Sequence, residues 1–475
     1  MMSANNYEEL MARRNEIMKK AVGIDYEKFR KDELVFDYDK MMNEAGYDLD
    51  EVREIQKEAG VGRTPLLELE NLTALARELA PPGKGARIFL KDEAANPSGS
   101  YKPRRASVSV YHAQKEGYPG VVAATSGNYG AAVASQANIR GLDSIIVQEV
   151  YDSAGRGQPE ILEKGRKCEA YGAEVLQLTV GPELFYTFLQ VLEDTGFFNA
   201  SLYTPFGIAG VETLGYEIVD EIRKREGIEP AAVICTNAGG GNLTGTARGL
   251  KKAGAEKTRV IGASVDLSGL HMASDEDFNR KSFTTGHTGF GIPFATWPDR
   301  ADVPINAARA LRYMDRYLTV TQGEVFYITE ALARLEGLER GPAGNTSLAP
   351  ALSLAQELDK EEIIVVQETE YTGAGKHPIS QLNFARGMGV EVKRGHPEEE
   401  SPGENIIIPE RPGQIEGIDL DLDSIRISYL EKAVEKSGIT SVDQNYLDFL
   451  AREVNLKPDE TRKLIEKNLD VELDL

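Results

Sequence analysis

The chain has 475 residues, 41% of them apolar, with 54 Lys and Arg against 76 Asp and Glu, a formal net charge of -22. That length asks for two or three lobes rather than one core, and that charge repels a phosphate backbone, which argues against nucleic acid as a partner. No apolar run reaches the ~18 residues of a membrane span, and the start lacks the apolar stretch of a signal peptide, so a cytoplasmic protein with no membrane partner is expected. Two cysteines, Cys168 and Cys235, are too few for a disulfide framework or a four-ligand zinc site. Both stand in apolar surroundings and read as buried, reduced thiols. The five histidines show no metal-ligand spacing, and no metal is expected.

In chain order, residues 1–60 read as a polar helical extension, with Leu10, Met11, Ile17, Met18 and Val22 near helical spacing. Such a segment packs on the main body or on a partner. From 61 to 395 short β-rich runs alternate with helical ones: RIFLK (87–91), GVVAAT (120–125), SIIVQEV (144–150), EVLQLTV (174–180), AAVICTNA (231–238), RVIGASV (259–265) and EIIVVQET (362–369). Strands alternating with helices give parallel sheets covered on both faces, an α/β fold. Residues 396–475 begin with a Pro/Gly/Glu-rich linker and end in an acidic helical annex.

In such sheets ligands collect at the carboxyl ends of strands, and four loops there are rich in Gly, Ser, Thr and Asn. The first is NPSGSYKPRR (96–105). Proline disfavours helix in the residue before it and suits the first helical position, so Lys102 is expected to be extended just ahead of a helix starting near Pro103. Tucked behind small residues, its amine is desolvated, its pKa falls, and the neutral form can attack a carbonyl. The plainer alternative is a surface lysine at a helix start. The second loop, ATSGNYG (124–130), can turn Ser, Asn and backbone amides toward a carboxylate at a helix N-terminus. The third, TNAGGGNLTG (236–245), has three successive glycines that let amides fold around a phosphate. The fourth, ETEYTGAGKHP (368–378), offers Thr372, Gly373 and Gly375. A dinucleotide site is the competing reading of the third loop. Its glycine spacing is not G-x-G-x-x-G, and it leaves Lys102 and the SGN loop without a role.

Five motifs, GRTPL, LKDEAANPSGSYKPR, TSGNYG, AGGGN and TGAGKHP, with EGLERGPAGNTSLAPALSLA (336–355) as a sixth, occur in an order that resembles the fold-type II pyridoxal phosphate enzymes, the threonine synthase and cysteine synthase group. The resemblance covers about residues 62–395. It implies a tryptophan synthase beta-like arrangement of two open parallel-sheet domains with pyridoxal 5'-phosphate between them, the small lobe at about 105–210 and the large lobe in the remainder of 61–395. It makes Lys102 the catalytic lysine that bonds the cofactor. Asn128 becomes the partner of the cofactor's 3'-oxygen, Thr125 and Ser126 the binders of the substrate carboxylate, and Gly239, Gly240, Gly241 and Asn242 the phosphate cradle. Thr372 faces the pyridine nitrogen, where a neutral hydroxyl gives a milder electron sink than Asp or Arg. The sequence departs from the family at Lys102-Pro103-Arg104-Arg105, where relatives commonly read Lys-Asp-Arg, and in the details of the third and fourth loops.

Within the family, the N-terminal extension, the GSYKPRR form and the acidic tail together resemble the cofactor-bearing subunit of a coenzyme A-dependent thiolase. That implies cleavage of 2-amino-4-oxopentanoate with CoA into alanine and acetyl-CoA, in ornithine degradation, by a dimer or hetero-oligomer with a small alpha subunit. CoA on an acidic chain asks for cationic contacts, for which the candidates are Arg104 and Arg105, or Arg156, Lys164, Arg166 and Lys167. Of the loop histidines His271, His287 and His377, the last is expected nearest the site. The alternatives are a threonine synthase-like β,γ-replacement, an ammonia-lyase elimination, or a non-catalytic homologue.

Overall fold

Apolar runs without polar alternation become strands covered on both faces, and the computed structural model shows where each one goes. It describes residues 7–45, 47–125, 127–181, 183–201, 203–267, 282–284, 303–371 and 377–474. In chain order the strands are β1 (Leu66–Glu68), β2 (Arg87–Asp92), β3 (Gly120–Thr125), β4 (Asp143–Tyr151), β5 (Glu174–Thr179), β6 (Phe198–Asn199), β7 (Ala232–Thr236), β8 (Arg259–Val265), β9 (Arg316–Val320), β10 (Ile363–Glu368), β11 (Glu391–Gly395), β12 (Asn405–Pro409), β13 (Ile418–Asp419), β14 (Ser441–Asp443) and β15 (Glu472–Asp474). The larger sheet runs β1-β2-β10-β7-β8-β9-β13, parallel except at its two edge strands. The smaller is a parallel sheet ordered β5-β4-β3-β6.

Along β7 and β10 the side chains alternate between two cores, as the period of two requires. Val233, Cys235 and Val365 join Val211, Leu243 and Leu250 on one face. Ile234, Ile364 and Val366 join Leu72, Leu348 and Leu352 on the other. The N-terminal extension packs on the main body: Leu10, Ile17 and Met18 share a core with Val122, Val147 and Phe188. The C-terminal helices likewise bury Ile425, Leu430, Leu450 and Ile465 in the first of the larger sheet's cores. The stretch after 395 is not linker alone, because Ile406 and Ile407 are buried in β12, which pairs in parallel with β11. Its Pro, Gly and Glu flanks mask a strand of five residues. Among the described residues no helix is long and apolar enough to cross a membrane.

One helix, Pro205–Glu226, sets the spacing of the parts that matter for the site. A Cβ at Gly210 would lie 2.0 Å from the carbonyl oxygen of Arg104, in the helix Pro103–Lys115. On its other side, a Cβ at Gly215 would lie 2.1 Å from Thr246 O, and one at Gly249 2.0 Å from Glu212 O, so the helix Gly241–Lys252 is also in backbone contact with it. Gln56 Nε2 donates to Arg104 O at 3.0 Å and Gly210 O at 2.7 Å, tying the N-terminal extension to the same junction. Lys102 and the glycine loop at Gly239–Gly241 are therefore placed by a shared, close-packed neighbour. Gly210→Ala and Gly249→Ala are each expected to cost about 1–3 kcal/mol through forced backbone separation. Gly387→Ala, where nothing lies within 4 Å of the new methyl, should stay within about 0.5 kcal/mol of the parent. Denaturant midpoints of the three variants check this.

Candidate active site

The loop before Lys102 turns on two successive left-handed residues, Ser98 at φ 61° and Gly99 at φ 68°. A side chain at Gly99 would be strained there, and the turn lets the loop lace onto the segment after β10. Tyr101 N donates to Thr369 O at 3.0 Å, and Tyr371 N donates to Gly99 O at 2.8 Å. Lys102 itself is helical, with φ -58° and ψ -32°, rather than extended. The proline's preference is outweighed because the carbonyl of Lys102 already accepts from the amides of Arg105 and Ala106, at 3.0 and 3.1 Å. Its Nζ donates to Tyr101 Oη at 2.8 Å. Burial lowers the lysine's pKa and Arg105 lowers it further, against the opposite pull of Tyr101 and Glu370. Burial would raise the Tyr101 phenol, but Lys102 and Arg105 bring it below its ordinary value.

Arg104 and Arg105, adjacent in sequence, have different surroundings. Arg104 is fully buried and grips Glu93 through Nε and Nη2 at 2.6 and 2.8 Å. It also donates to Glu217 at 2.8 Å and to Thr213 Oγ1 at 3.0 Å. Thr64, from the GRTPL motif, donates to Glu93 at 2.6 Å, and Asn96 donates to it at 2.9 Å. Despite burial, which raises a carboxyl, Arg104 holds Glu217 down at about 2. So engaged, Arg104 is not a contact for CoA, contrary to expectation. Arg105 is also buried, and its guanidinium lies against Gly241.

Asn128 opens the helix Asn128–Arg140, and its side-chain amide donates to Glu370. Lys164, read from sequence as a possible CoA contact, points inward instead. It pairs with Glu160 and stands 3.3 Å from Glu370, and these carboxylates raise its pKa against the opposing effect of burial. Lys167 donates to Ser98 O at 2.7 Å, while Arg156 and Arg166 stay exposed. Thr125 Oγ1 accepts from the amides of Gly127 and Gly130 at 2.9 and 3.3 Å, which fixes the turn into the Asn128 helix. Ser126 and Thr372, like His271 and His287, lie outside the described residues. His377 does not join the lysine cluster. It stacks on Phe326 with centroids 5.0 Å apart, and burial pushes its imidazole down to about 4. Both cysteines are buried free thiols, pushed up to about 12 by burial.

The glycine loop leads from β7 into the helix Gly241–Lys252, with Gly240 at φ 77°. A Cβ at Gly239 would fall 2.1 Å from Tyr203 Oη, and one at Gly241 2.4 Å from Arg105 Nη2, so a side chain at either position would have to displace the Tyr203 hydroxyl or the Arg105 guanidinium. Asn242, at the same helix start, has a buried side-chain nitrogen without a partner. First-turn amides, a helix dipole and orphaned donors together fit an anionic group such as a phosphate. Sequence reasoning missed Tyr101, Glu370 and the inward turn of Lys164. The first two adjoin motifs already singled out, and that adjacency was the available signal.

A family model described as "Pyridoxal-phosphate dependent enzyme" matches residues 57–370. A relative from Acetoanaerobium sticklandii named "2-amino-4-ketopentanoate thiolase beta subunit" is 67% identical over 94% of this chain and 95% of its own length. A second of the same name, from an unknown prokaryotic organism, is 63% identical over 100% of both. A probable cysteine synthase of Bacillus subtilis is 27% identical over 64% of this chain and 90% of its own. Among solved structures, a T.th. threonine deaminase is similar at TM-score 0.51 and 25% identity, over 69% of this chain and 98% of that one.

Breaking the Arg104 network is expected to be costly. Arg104→Met removes the guanidinium from the fully buried Glu93 and from the mostly buried Glu217 and should lose about 3–5 kcal/mol of stability. Glu217 titrates near 4.5 when unfolded and about 2 when folded. Between those values the unfolded chain binds the extra proton, so stability present above the upper value is lost as pH falls toward the lower. Unfolding free energies measured against pH should show this slope in the parent and a flatter one in Glu217→Gln.

Proposed function

This chain belongs to the pyridoxal-phosphate dependent enzymes, and on that premise we propose that it is the cofactor-bearing subunit of a thiolase cleaving 2-amino-4-oxopentanoate with coenzyme A into alanine and acetyl-CoA. The observation that carries this is identity of 63% and 67% to relatives of that name along essentially the whole chain. It extends through the helical extension and the C-terminal annex, whereas a probable cysteine synthase and two threonine synthases match only 64% of the chain at 25–27%.

The cofactor, when bound, supplies an electron sink beside the substrate's amino group. The protein's own residues do the rest. Lys102 is the side chain we assign to bond the cofactor and, once free, to carry the proton at the α-carbon. Its lowered pKa makes the neutral amine more accessible for both tasks. Asn128 serves the cofactor's 3'-oxygen, its amide held by Glu370, which Lys164 approaches in turn. Gly239, Gly240, Gly241 and Asn242 hold the phosphate, Thr125 and Ser126 the substrate carboxylate, and Thr372 the ring nitrogen. The small sheet β3–β6 and its helices form the small lobe, with the remainder of 61–395 as the large one.

The bond that breaks joins the substrate's C3 and C4. The thiol sulfur takes the acetyl carbon, C3 takes a proton, and no electrons are gained or lost. The relatives are named beta subunits, so a partner subunit accompanies this chain. We take it to be a small alpha subunit that contributes to the CoA site, because Arg104 and Lys164 are turned inward and committed to carboxylates. A cytoplasmic setting, where CoA is available, suits this reaction.

The test is to supply 2-amino-4-oxopentanoate and CoA to the cofactor-loaded chain, with and without the partner subunit. Acetyl-CoA and alanine should form in equal amounts, and Lys102→Ala should lower the rate by ~10³-fold or more. A cofactor-loaded complex that forms neither product contradicts the assignment.

A further inference from the structure

We propose that Arg105 is a phosphate-binding residue of the cofactor site, its buried guanidinium completing the anion cradle at the first turn of the Gly241–Lys252 helix. The proposal rests on the cofactor reading and adds to it a cation that the glycine motif does not supply. Arg105 is 1% exposed, and its Nε and Nη2 are buried without a hydrogen-bond partner. Burying a charge without a counter-ion is costly, so the position asks for an anion. Among the described residues no carboxylate is ion-paired with it, whereas its neighbour Arg104 is paired with two.

The direction is set by Gly241. A Cβ there would meet Nη2 at 2.4 Å, Nη1 at 2.6 Å and Cζ at 2.7 Å, so the guanidinium lies flat on the helix start. Asn242, 4% exposed on the same turn, leaves its Nδ2 without a partner. The rings of Tyr129 and Tyr203 stand 5.9 and 6.0 Å from the guanidinium carbon and help hold it in place. Two orphaned side-chain donors and the first-turn amides thus converge where the helix dipole favours negative charge. A planar guanidinium can give a phosphate two parallel hydrogen bonds, which an ammonium cannot. In a chain of net charge -22, such a local cation is what an anionic cofactor needs.

The experiment compares wild type, Arg105→Gln and Arg105→Lys as cofactor-free proteins, titrated with pyridoxal phosphate and with pyridoxal, which lacks the phosphate. Arg105→Gln should weaken pyridoxal phosphate binding roughly 10- to 100-fold and change pyridoxal binding less than about twofold. Arg105→Lys should fall between. Because the substitution removes a buried charge that no carboxylate pairs with among the described residues, cofactor-free Arg105→Gln should melt at or above the wild-type temperature. Unchanged affinity for pyridoxal phosphate, equal loss for both ligands, or a lower melting temperature of the cofactor-free variant would each overturn the proposal. A wild type that binds no pyridoxal phosphate would overturn the cofactor reading and this proposal with it.

Discussion

The position of Lys102 depends on a buried charge two residues further on. Arg104 binds Glu93, just beyond β2, and Glu217, on the Pro205–Glu226 helix. That grip joins the lysine's helix to the carboxyl end of β2 and to the helix against which the glycine loop's helix packs. Thr64 and Asn96 bind the same glutamate, so the GRTPL and NPSGS motifs meet at one carboxylate. Such a network is weak evidence for stability in itself, since well-packed apolar side chains can do as well. Its consequence here is geometric: Lys102 starts a helix whose next turn cannot move without stranding charges.

The same logic orders the rest of the site. In an acidic chain, Lys91, Arg104 and Lys164 are turned inward, and each is matched to carboxylates. Glu370 links Asn128 to Lys164 and also acts electrostatically on Lys102, so one carboxylate couples three parts of the site. Arg105 is set apart by having no such match among the described residues, and it lies on the glycine loop. Charge is matched by carboxylates at Lys91, Arg104 and Lys164, and Arg105 is where the proposed anion would supply the match.

Much of this was legible in the sequence. GVVAAT and RVIGASV are the strands β3 and β8 to the residue, because apolar β-branched runs bounded by turn residues have few other uses. The loops after β3 and β7 were legible because Gly, Ser and Asn clusters follow those runs directly. What the sequence hid was tertiary. Lys102 adopts a helical backbone that its following proline disfavours, because neighbouring amides need its carbonyl. Arg104 and Arg105 look alike in the chain, and only their surroundings tell a structural ion pair from an open donor. NIIIP was lost in a polar, proline-rich stretch, and its pairing with β11 is visible only in the folded chain. His377 stands beside a site motif in sequence and packs on Phe326 in space.

The central claim is that Lys102 is the lysine to which the cofactor is joined. Borohydride reduction of the cofactor-loaded protein, followed by proteolysis and mass spectrometry, tests it directly. The account predicts the reduced cofactor mass on the peptide containing Lys102 and on no other. The same mass on Lys164 or Lys167, with Lys102 unmodified, would contradict it.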